Sequence, residues 1–185
     1  LALDESSRKN LELTVNLRDG TSRFTLYEVI NHTCTPMGSR LLRARLSSPL
    51  TDVKQIQYRQ NEVQLLFQNY NCAEKIQKIL QEISDIERLS SRIAMDRAHA
   101  KDLLALKKSL DCYLAIKDEM SRFNLLSNDT ENAKKASEMI GRAIKEDPSI
   151  FFTEGNIIAR GWSSELDHLH DLQTDFSSIL ENYLN

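Results

Sequence analysis

A chain of 185 residues is long enough for one domain with a substantial core. Its 41% hydrophobic and 28% charged residues are typical of a globular protein, and its net charge of −3 argues against a chain-wide nucleic-acid-binding surface. No apolar run of about 18 residues and no signal peptide are present, which argues against a membrane span and against secretion.

The charge is distributed unevenly along the chain. Residues 1–60 contain nine Lys/Arg against six Asp/Glu, whereas the remainder contains 15 against 21. A nucleic-acid footprint is more strongly clustered than this. The pattern therefore predicts an ordinary solvated surface.

The N-terminal segment combines a period-two pattern with a turn. Leu11, Leu13 and Val15 alternate with polar residues, which predicts a short strand. The run Arg18-Asp19-Gly20 then predicts a turn.

A short helix is predicted next. Phe24, Tyr27 and Ile30 are three residues apart, which places them on one helical face. We expect this helix over about residues 22–32, with Ser22 as its cap.

A helix that starts at Pro36 and ends before Pro49 is predicted next. Pro36 suits the first helical position because its missing N–H would have no partner there, and Thr35 can cap the first turn. Pro49 ends the helix, and Thr51-Asp52 starts another one.

The helix from Asp52 to about Tyr70 has an apolar stripe with one polar interruption, Gln60. The stripe consists of Val53, Ile56, Val63, Phe67 and Tyr70. Further helices are predicted over residues 73–81, 84–94 and 102–124, and another follows a loop and cap at residues 127–130. These patterns predict a mainly α bundle with long helices.

The C-terminal region changes its period. Residues 150–153 and 157–159 flank a Glu154-Gly155-Asn156 turn, which predicts a small hairpin near residues 150–159. The last helix begins near Trp162 with four-and-three spacing of apolar residues and has no stop signal before Asn185. We expect the helix to continue in a longer protein.

Several runs resemble the core, or lever, domain of MutS-type DNA mismatch-repair proteins. They appear in that family's order, from Leu3 to Leu169. The runs are Asp4-Glu5-Ser6-x-Arg8-x-Asn10-Leu11-Glu12-Leu13, Thr35-Pro36-Met37-Gly38-Ser39-Arg40-Leu41-Leu42 with Pro49-Leu50-Thr51-Asp52, Asp85-Ile86-Glu87-Arg88-Leu89, Lys101-Asp102-Leu103-Leu104 and Gly161-Trp162-x-x-Glu165-Leu166-Asp167. Departures are Ala98-His99-Ala100, Asn156 and Trp162, where the family often has a proline, a glycine and a tyrosine.

The resemblance implies a fragment in two parts. Residues 1–161 would form the first segment of the core domain, and residues 162–185 the start of a long helix toward the DNA clamp. The mismatch-reading, connector and ATPase domains would lie elsewhere, so ATP and magnesium would bind outside this fragment. The implied role is a lever that couples the ATPase to the clamp.

The longer protein implied by the resemblance would have several partners. They are mismatched double-stranded DNA, a second copy in a homodimer and downstream repair proteins. Its location would be the bacterial cytoplasm, at the nucleoid, or the nucleus if the source is eukaryotic.

The basic residues of the Thr35–Asp52 stretch are the candidate site. Arg40 and Arg43 share a helix face and could bind phosphate, and Arg45 lies close by. The alternative is an ion pair with a neighbouring helix or another domain. We favour the structural role.

No catalytic, cofactor-binding or metal-binding residues are predicted. The chain lacks a P-loop, a Gly-x-Ser-x-Gly run and a metal-type His or Cys pair, and its widely spaced Cys34, Cys72 and Cys112 suggest reduced thiols. Phe152-Thr153-Glu154 matches the spelling of the family's mismatch-reading motif, but its context predicts a core phenylalanine and a turn glutamate.

Two alternatives to mismatch repair stay open. One is a MutS paralogue that acts on recombination junctions. The other is a free-standing helical adaptor whose exposed seam binds a partner helix.

Overall fold

The helices dominate the structure, as the periodicity predicts. A computed structural model describes residues 4–123 and 130–184. The helices are α1 (Glu5–Asn10), α2 (Leu26–Ile30), α3 (Pro36–Ser47), α4 (Val53–Gln68), α5 (Tyr70–Leu80), α6 (Ile86–Ala94), α7 (Ala100–Met120), α8 (Glu131–Ala143) and α9 (Ser164–Leu184), with 3₁₀ turns at Ser121–Phe123 and Phe152–Glu154. The mainly α fold is confirmed. The predicted loop at residues 127–129 lies outside the described residues.

The predicted limits of α3 and the predicted start of α4 are confirmed. The Thr35 hydroxyl accepts the Gly38 N–H at 3.0 Å, and Pro36 occupies the first turn. The Asp52 carboxylate accepts the Lys54 N–H at 2.9 Å and begins α4. Local capping chemistry therefore sets the N-terminal ends of both helices.

The predicted N-terminal strand is wrong. α1 ends at Asn10, and turns follow it, with Glu12 at a φ of 45°. The Glu12 carboxylate accepts the Leu17 N–H at 2.6 Å, and the Asn16 side chain accepts the Arg18 N–H at 3.0 Å. Side chains thus satisfy backbone donors that a strand would pair with a neighbouring strand.

The second helix is shorter than predicted, and its cap is different. It begins at Leu26, because the buried Thr25 accepts the Glu28 N–H at 3.2 Å. The Thr25 hydroxyl also donates to the Ser22 carbonyl at 2.6 Å, which holds Ser22 in the turn before the helix. Phe24 has a left-handed φ of 60° and lies outside the helix.

The predicted hairpin near residues 150–159 is also wrong. The turn at Gly155 is present, with a φ of 67°, but residues 152–154 form a 3₁₀ turn. Ile158 instead makes an isolated antiparallel bridge with Ile144. The segment that follows α8 pairs with this part of the chain instead, since the Lys145 N–H donates to the Ile157 carbonyl at 2.9 Å.

The core is organised around α7, which packs against α5, α6 and α8. One buried cluster joins α5 to α7 and contains Cys72, Ile76 and Ile116. A second cluster joins α7 to α8 and the segment after it, and contains Ala100, Ile140 and Ile144. α7 is therefore the element that connects the two clusters.

The Lys107 side chain of α7 lies against a glycine of α8. A Cβ atom on Gly141 would meet the Lys107 Cε at 2.7 Å. Lys107 also forms an ion pair within α7 with Asp111, with Nζ and Oδ2 2.8 Å apart.

Candidate functional site

The candidate site is α3, whose basic residues make contacts with two other parts of the chain. The Arg40 guanidinium reaches the loop before α6, where Nη1 and Nη2 donate to the Asp85 carboxylate at 2.7 and 2.8 Å. Glu87 accepts a further hydrogen bond from the same guanidinium. Such a two-pronged pair is both directional and charge-assisted.

Asp85 performs two tasks at once. Its carboxylate is the N-cap of α6 and accepts the Arg88 N–H at 3.2 Å while it holds Arg40. The Arg40 hydrogen bonds lower the pKa of the Asp85 carboxyl to about 2. The same contacts with Asp85 and Glu87 raise the pKa of Arg40 above its ordinary value. α3 is thereby tied to the start of α6.

Arg43 contacts α2 instead. Its guanidinium carbon lies 4.0 Å from the centre of the Tyr27 ring, within the range of a cation–π interaction. The buried Tyr27 hydroxyl lies 2.5 Å from the Ser39 hydroxyl and accepts a hydrogen bond from Asn31 at 3.0 Å. The Ser39 hydrogen bond, with a smaller contribution from Arg43, lowers the pKa of Tyr27.

Both candidate arginines thus make contacts with other residues of the same chain. Arg40 and Arg43 are three residues apart, but their long side chains diverge to α6 and α2. Arg45, at the last turn of α3, makes neither contact and lines a cleft against α4. Phosphate binding by Arg40 and Arg43 stays a prediction, as does a contact with another domain.

Comparison with known proteins identifies the family. The family model described as MutS domain III matches residues 6–184. The chain belongs to the MutS domain III family. The resemblance carried by the sequence runs is confirmed.

Relatives of this MutS domain III carry the name DNA mismatch repair protein MutS. The one from Treponema denticola is 40% identical over 190 residues, which cover 100% of this chain and 21% of that protein. The one from Methanosarcina mazei is 40% identical over 184 residues, covering 95% of this chain and 20% of that protein. The one from Clostridium perfringens is 36% identical over 190 residues, covering 98% and 21%. The chain therefore spans about a fifth of these relatives.

Sequence reasoning missed two partners in this MutS domain III. Asp85 caps α6 and also binds Arg40, and only the capping role has a signal in the local sequence. Its partner Arg40 lies 45 residues away, and no local pattern links them. Tyr27 was assigned to a helix face, whereas its hydroxyl joins α2 to α3.

The Phe152-Thr153-Glu154 run lies in the second 3₁₀ turn. Glu154 is a turn residue, as predicted. Phe152 is 67% exposed, so its predicted place in the core is wrong. The tight turn directs its ring outward toward His99, whose ring centre is 6.2 Å away.

In residues 4–123 and 130–184, no group of three or more His, Cys, Asp and Glu side chains could hold a metal ion. No helix in that part of the chain has the length and apolar character to cross a membrane. Cys34, Cys72 and Cys112 are all free. The division of the chain between residues 161 and 162 stays a prediction.

Replacing Arg40 with glutamine is expected to lower the thermal midpoint of this domain at neutral pH but not in strong acid. The Asp85 pKa is about 2 when folded and about 4 when unfolded, so the pair stabilises the fold above the unfolded value. Its contribution is lost as the pH falls from about 4 to about 2. Circular dichroism melts of both proteins between those pH values and neutrality measure the difference.

Arg43→Gln is the matched control for this experiment. Its partner Tyr27 does not titrate in acid, so its midpoint difference from the wild type should stay level over the same acid range. An Arg40→Gln difference that persists unchanged through the acid range would contradict the role assigned to Asp85.

Proposed function

We propose that this MutS domain III is a helical lever in a DNA mismatch repair protein. In this proposal it couples the nucleotide state of an ATPase domain to a clamp around DNA. The names of the relatives support mismatch repair rather than a role at recombination junctions. The chain itself would catalyse no reaction, and ATP and magnesium would bind in another domain.

The proposed partners belong to the longer protein. They are mismatched double-stranded DNA, a second MutS subunit and downstream repair proteins. The proposed location is with the DNA, at the nucleoid in the cytoplasm of a bacterium or in the nucleus of a eukaryote.

The observation that carries this proposal is α9, a continuous 21-residue helix anchored at its base. The preceding turn uses the left-handed φ of Gly161, 84°, which favours glycine. The Gly161 N–H donates to the Asp167 carboxylate at 2.8 Å, and Arg160 forms an ion pair with Asp171. These contacts tie the first turns of α9 to the chain that precedes them.

The length of α9 suits a mechanical role. At about 1.5 Å per residue, it extends roughly 32 Å. Every intrahelical hydrogen bond resists bending, so a helix without a kink-inducing residue moves as a unit. A small rotation at its anchored base is therefore amplified at its far end.

A Leu169→Pro substitution in the longer MutS protein tests this proposal. Leu169 is 56% exposed in α9, so the change acts through the backbone: proline removes one hydrogen bond and clashes with the preceding turn, at a cost of about 3 kcal/mol. We expect mismatch binding to persist and ATP-dependent sliding on DNA to slow by about tenfold. Single-molecule imaging on mismatched DNA measures both.

The control is Leu169→Ala in the same protein. Alanine removes most of the same side chain but keeps the helix, so sliding should continue at the wild-type rate. If the proline variant also slides at that rate, the lever proposal is wrong.

A further inference from the structure

The chain that leads into α9 is held firmly by α8. Residues 143–145 pair with residues 157–159, and two backbone hydrogen bonds of 2.9 and 2.8 Å flank the antiparallel bridge between Ile144 and Ile158. Ile144 is buried in the cluster that joins α7 to α8, and Ile158 packs against that cluster. Together, α7, α8 and residues 157–159 are called the α7–α8 body.

α9 is packed much less tightly than the α7–α8 body. Leu166, in its first turn, is half-buried. The apolar residues that follow, Leu169, Leu172 and Phe176, are 56%, 51% and 64% exposed. Every side chain from residue 171 to residue 176 is exposed. Apolar burial therefore contributes little to fixing the direction in which α9 leaves the body.

Gly161 is the residue at which the body and α9 meet. Its φ of 84° is left-handed, and glycine changes φ at little steric cost. The Trp162 N–H closes the turn on the Ala159 carbonyl at 3.3 Å, which is longer than most such bonds. α9 begins after Ser163, whose hydroxyl accepts the Leu166 N–H at 3.3 Å. A rotation at Gly161 therefore redirects α9 without removing its cap.

Two contacts of α9 side chains span this pivot. The Gly161 N–H, on the body side of the rotating bonds, donates to the Asp167 carboxylate at 2.8 Å. Arg160, also on the body side, forms an ion pair with Asp171, and these two side chains are 69% and 59% exposed. The α9 latch is defined as these two contacts. An ion pair between exposed side chains contributes little to stability, so the latch holds α9 in one direction only weakly.

We infer that Gly161 is a hinge between the α7–α8 body and α9, and that the α9 latch holds α9 in the direction seen in this structure. When the latch opens, α9 turns as a unit, because its cap and its backbone hydrogen bonds stay intact. Naming this joint deepens the lever proposal and rests on that proposed function. The experiment measures the direction of α9 and not sliding on DNA, so the hinge and the lever can each fail without the other.

The direction of α9 is measured as a distance from α8 in the 185-residue protein. A ketone-bearing amino acid replaces the exposed Met139 on α8 and either Leu169 or Phe176 on α9. Spin labels on the ketones leave the native cysteines unchanged, and pulsed electron paramagnetic resonance gives each distance distribution. At about 1.5 Å per residue, the two α9 sites lie roughly 12 and 22 Å from Gly161, so a rotation there moves the second about twice as far.

Opening the α9 latch is expected to broaden both distance distributions. In the double variant Arg160→Gln/Asp167→Ala, we expect the width at Phe176 to become about twice that of the wild type, because further directions of α9 become populated. The increase at Phe176 should be about twice the increase at Leu169. Glu165→Ala is the matched control, since Glu165 is an exposed carboxylate in the same turn of α9 as Asp167. Its distributions should match those of the wild type.

A second substitution acts on the hinge itself. Gly161→Ala should shift the mean distance from α8 to α9, because alanine disfavours the left-handed φ. Gly155→Ala is the matched control: Gly155 has a φ of 67° and open space around its Cβ position, but it precedes the pairing with α8. It should leave the mean distance unchanged. Circular dichroism melts verify that each variant is folded.

Several results would overturn this inference. Wild-type distributions in both Gly161→Ala and the latch variant would show that α9 is fixed rigidly to the body. Broadening at Phe176 without broadening at Leu169 would place the motion within α9, and an equal shift in Gly155→Ala would place it within the body. A distribution in the wild type as broad as that of the latch variant would show that the latch does not hold α9.

Discussion

Replacing Ser109 with leucine is expected to destabilise the domain by about 3 kcal/mol. Ser109 has no exposed surface in the middle of α7. Its hydroxyl donates to the Ala105 carbonyl at 2.8 Å and accepts the Ser84 N–H at 3.0 Å. Leucine leaves the Ser84 N–H without its acceptor and forces additional carbon atoms into filled space. Urea denaturation followed by circular dichroism measures the loss.

Two comparisons separate the causes of this loss. Ser109→Ala removes the acceptor without adding volume, so it should cost about 1–2 kcal/mol. Ser91 in α6 makes a similar bond to the carbonyl four residues earlier, at 2.8 Å, but is exposed. Ser91→Leu should therefore change the stability by less than about 0.5 kcal/mol. An equally small effect of Ser109→Leu would show that this position is not tightly packed.

Replacing Ile140 with alanine is expected to cost about 3 kcal/mol. Ile140 is 8% exposed and belongs to the buried cluster that joins α8 to Ala100 of α7 and to Ile144. The substitution removes buried methyl groups and leaves a cavity that the surrounding helices fill only partly. We expect a lower urea midpoint with an unchanged denaturant slope, because the surface exposed on unfolding stays nearly the same.

The neighbouring residue on α8 supplies the control for this cavity. Met139 is 57% exposed, so Met139→Ala should shift the stability by less than about 0.5 kcal/mol. Similar losses for Ile140→Ala and Met139→Ala would mean that the α7–α8 cluster does not distinguish the two faces of α8.

The N-terminal ends of α3 and α4 could be predicted from sequence because their determinants are local. Thr35, Pro36 and Asp52 act within one turn of their own positions, and the structure places α3 and α4 accordingly. The family could be identified for a related reason. The runs that resemble it are recognised by their residues and their order along the chain, without any knowledge of their contacts.

The direction in which α4 faces could not be predicted. Periodicity predicts which residues share a side of a helix, but not which other element, if any, packs against that side. Val63 and Phe67 have the pattern of a core face, yet both are exposed. The N-terminal strand failed for a similar reason: a period-two run requires a partner strand, and the side chains of Glu12 and Asn16 satisfy the backbone locally.

The candidate site was predictable only in part. The three-residue spacing identified Arg40 and Arg43 as neighbours on one helix. Their partners, Asp85 and Tyr27, depend on the packing of α3 against two other elements. Long-range partners of this kind are set by the tertiary structure, and a single sequence contains no direct signal for them.

Two buried hydroxyls, one on α7 and one on α8, determine the position of neighbouring elements along the α7 axis. Ser137 of α8 donates to the Asp111 carboxylate, and Ser109 holds the Ser84 N–H. Sliding α8 by one turn, about 5.4 Å, would separate Ser137 from Asp111. Apolar contacts tolerate such a slip because dispersion has no preferred direction, whereas a hydrogen bond is lost within a fraction of that distance. These small polar contacts fix the axial position of α8 and of the loop before α6 relative to α7.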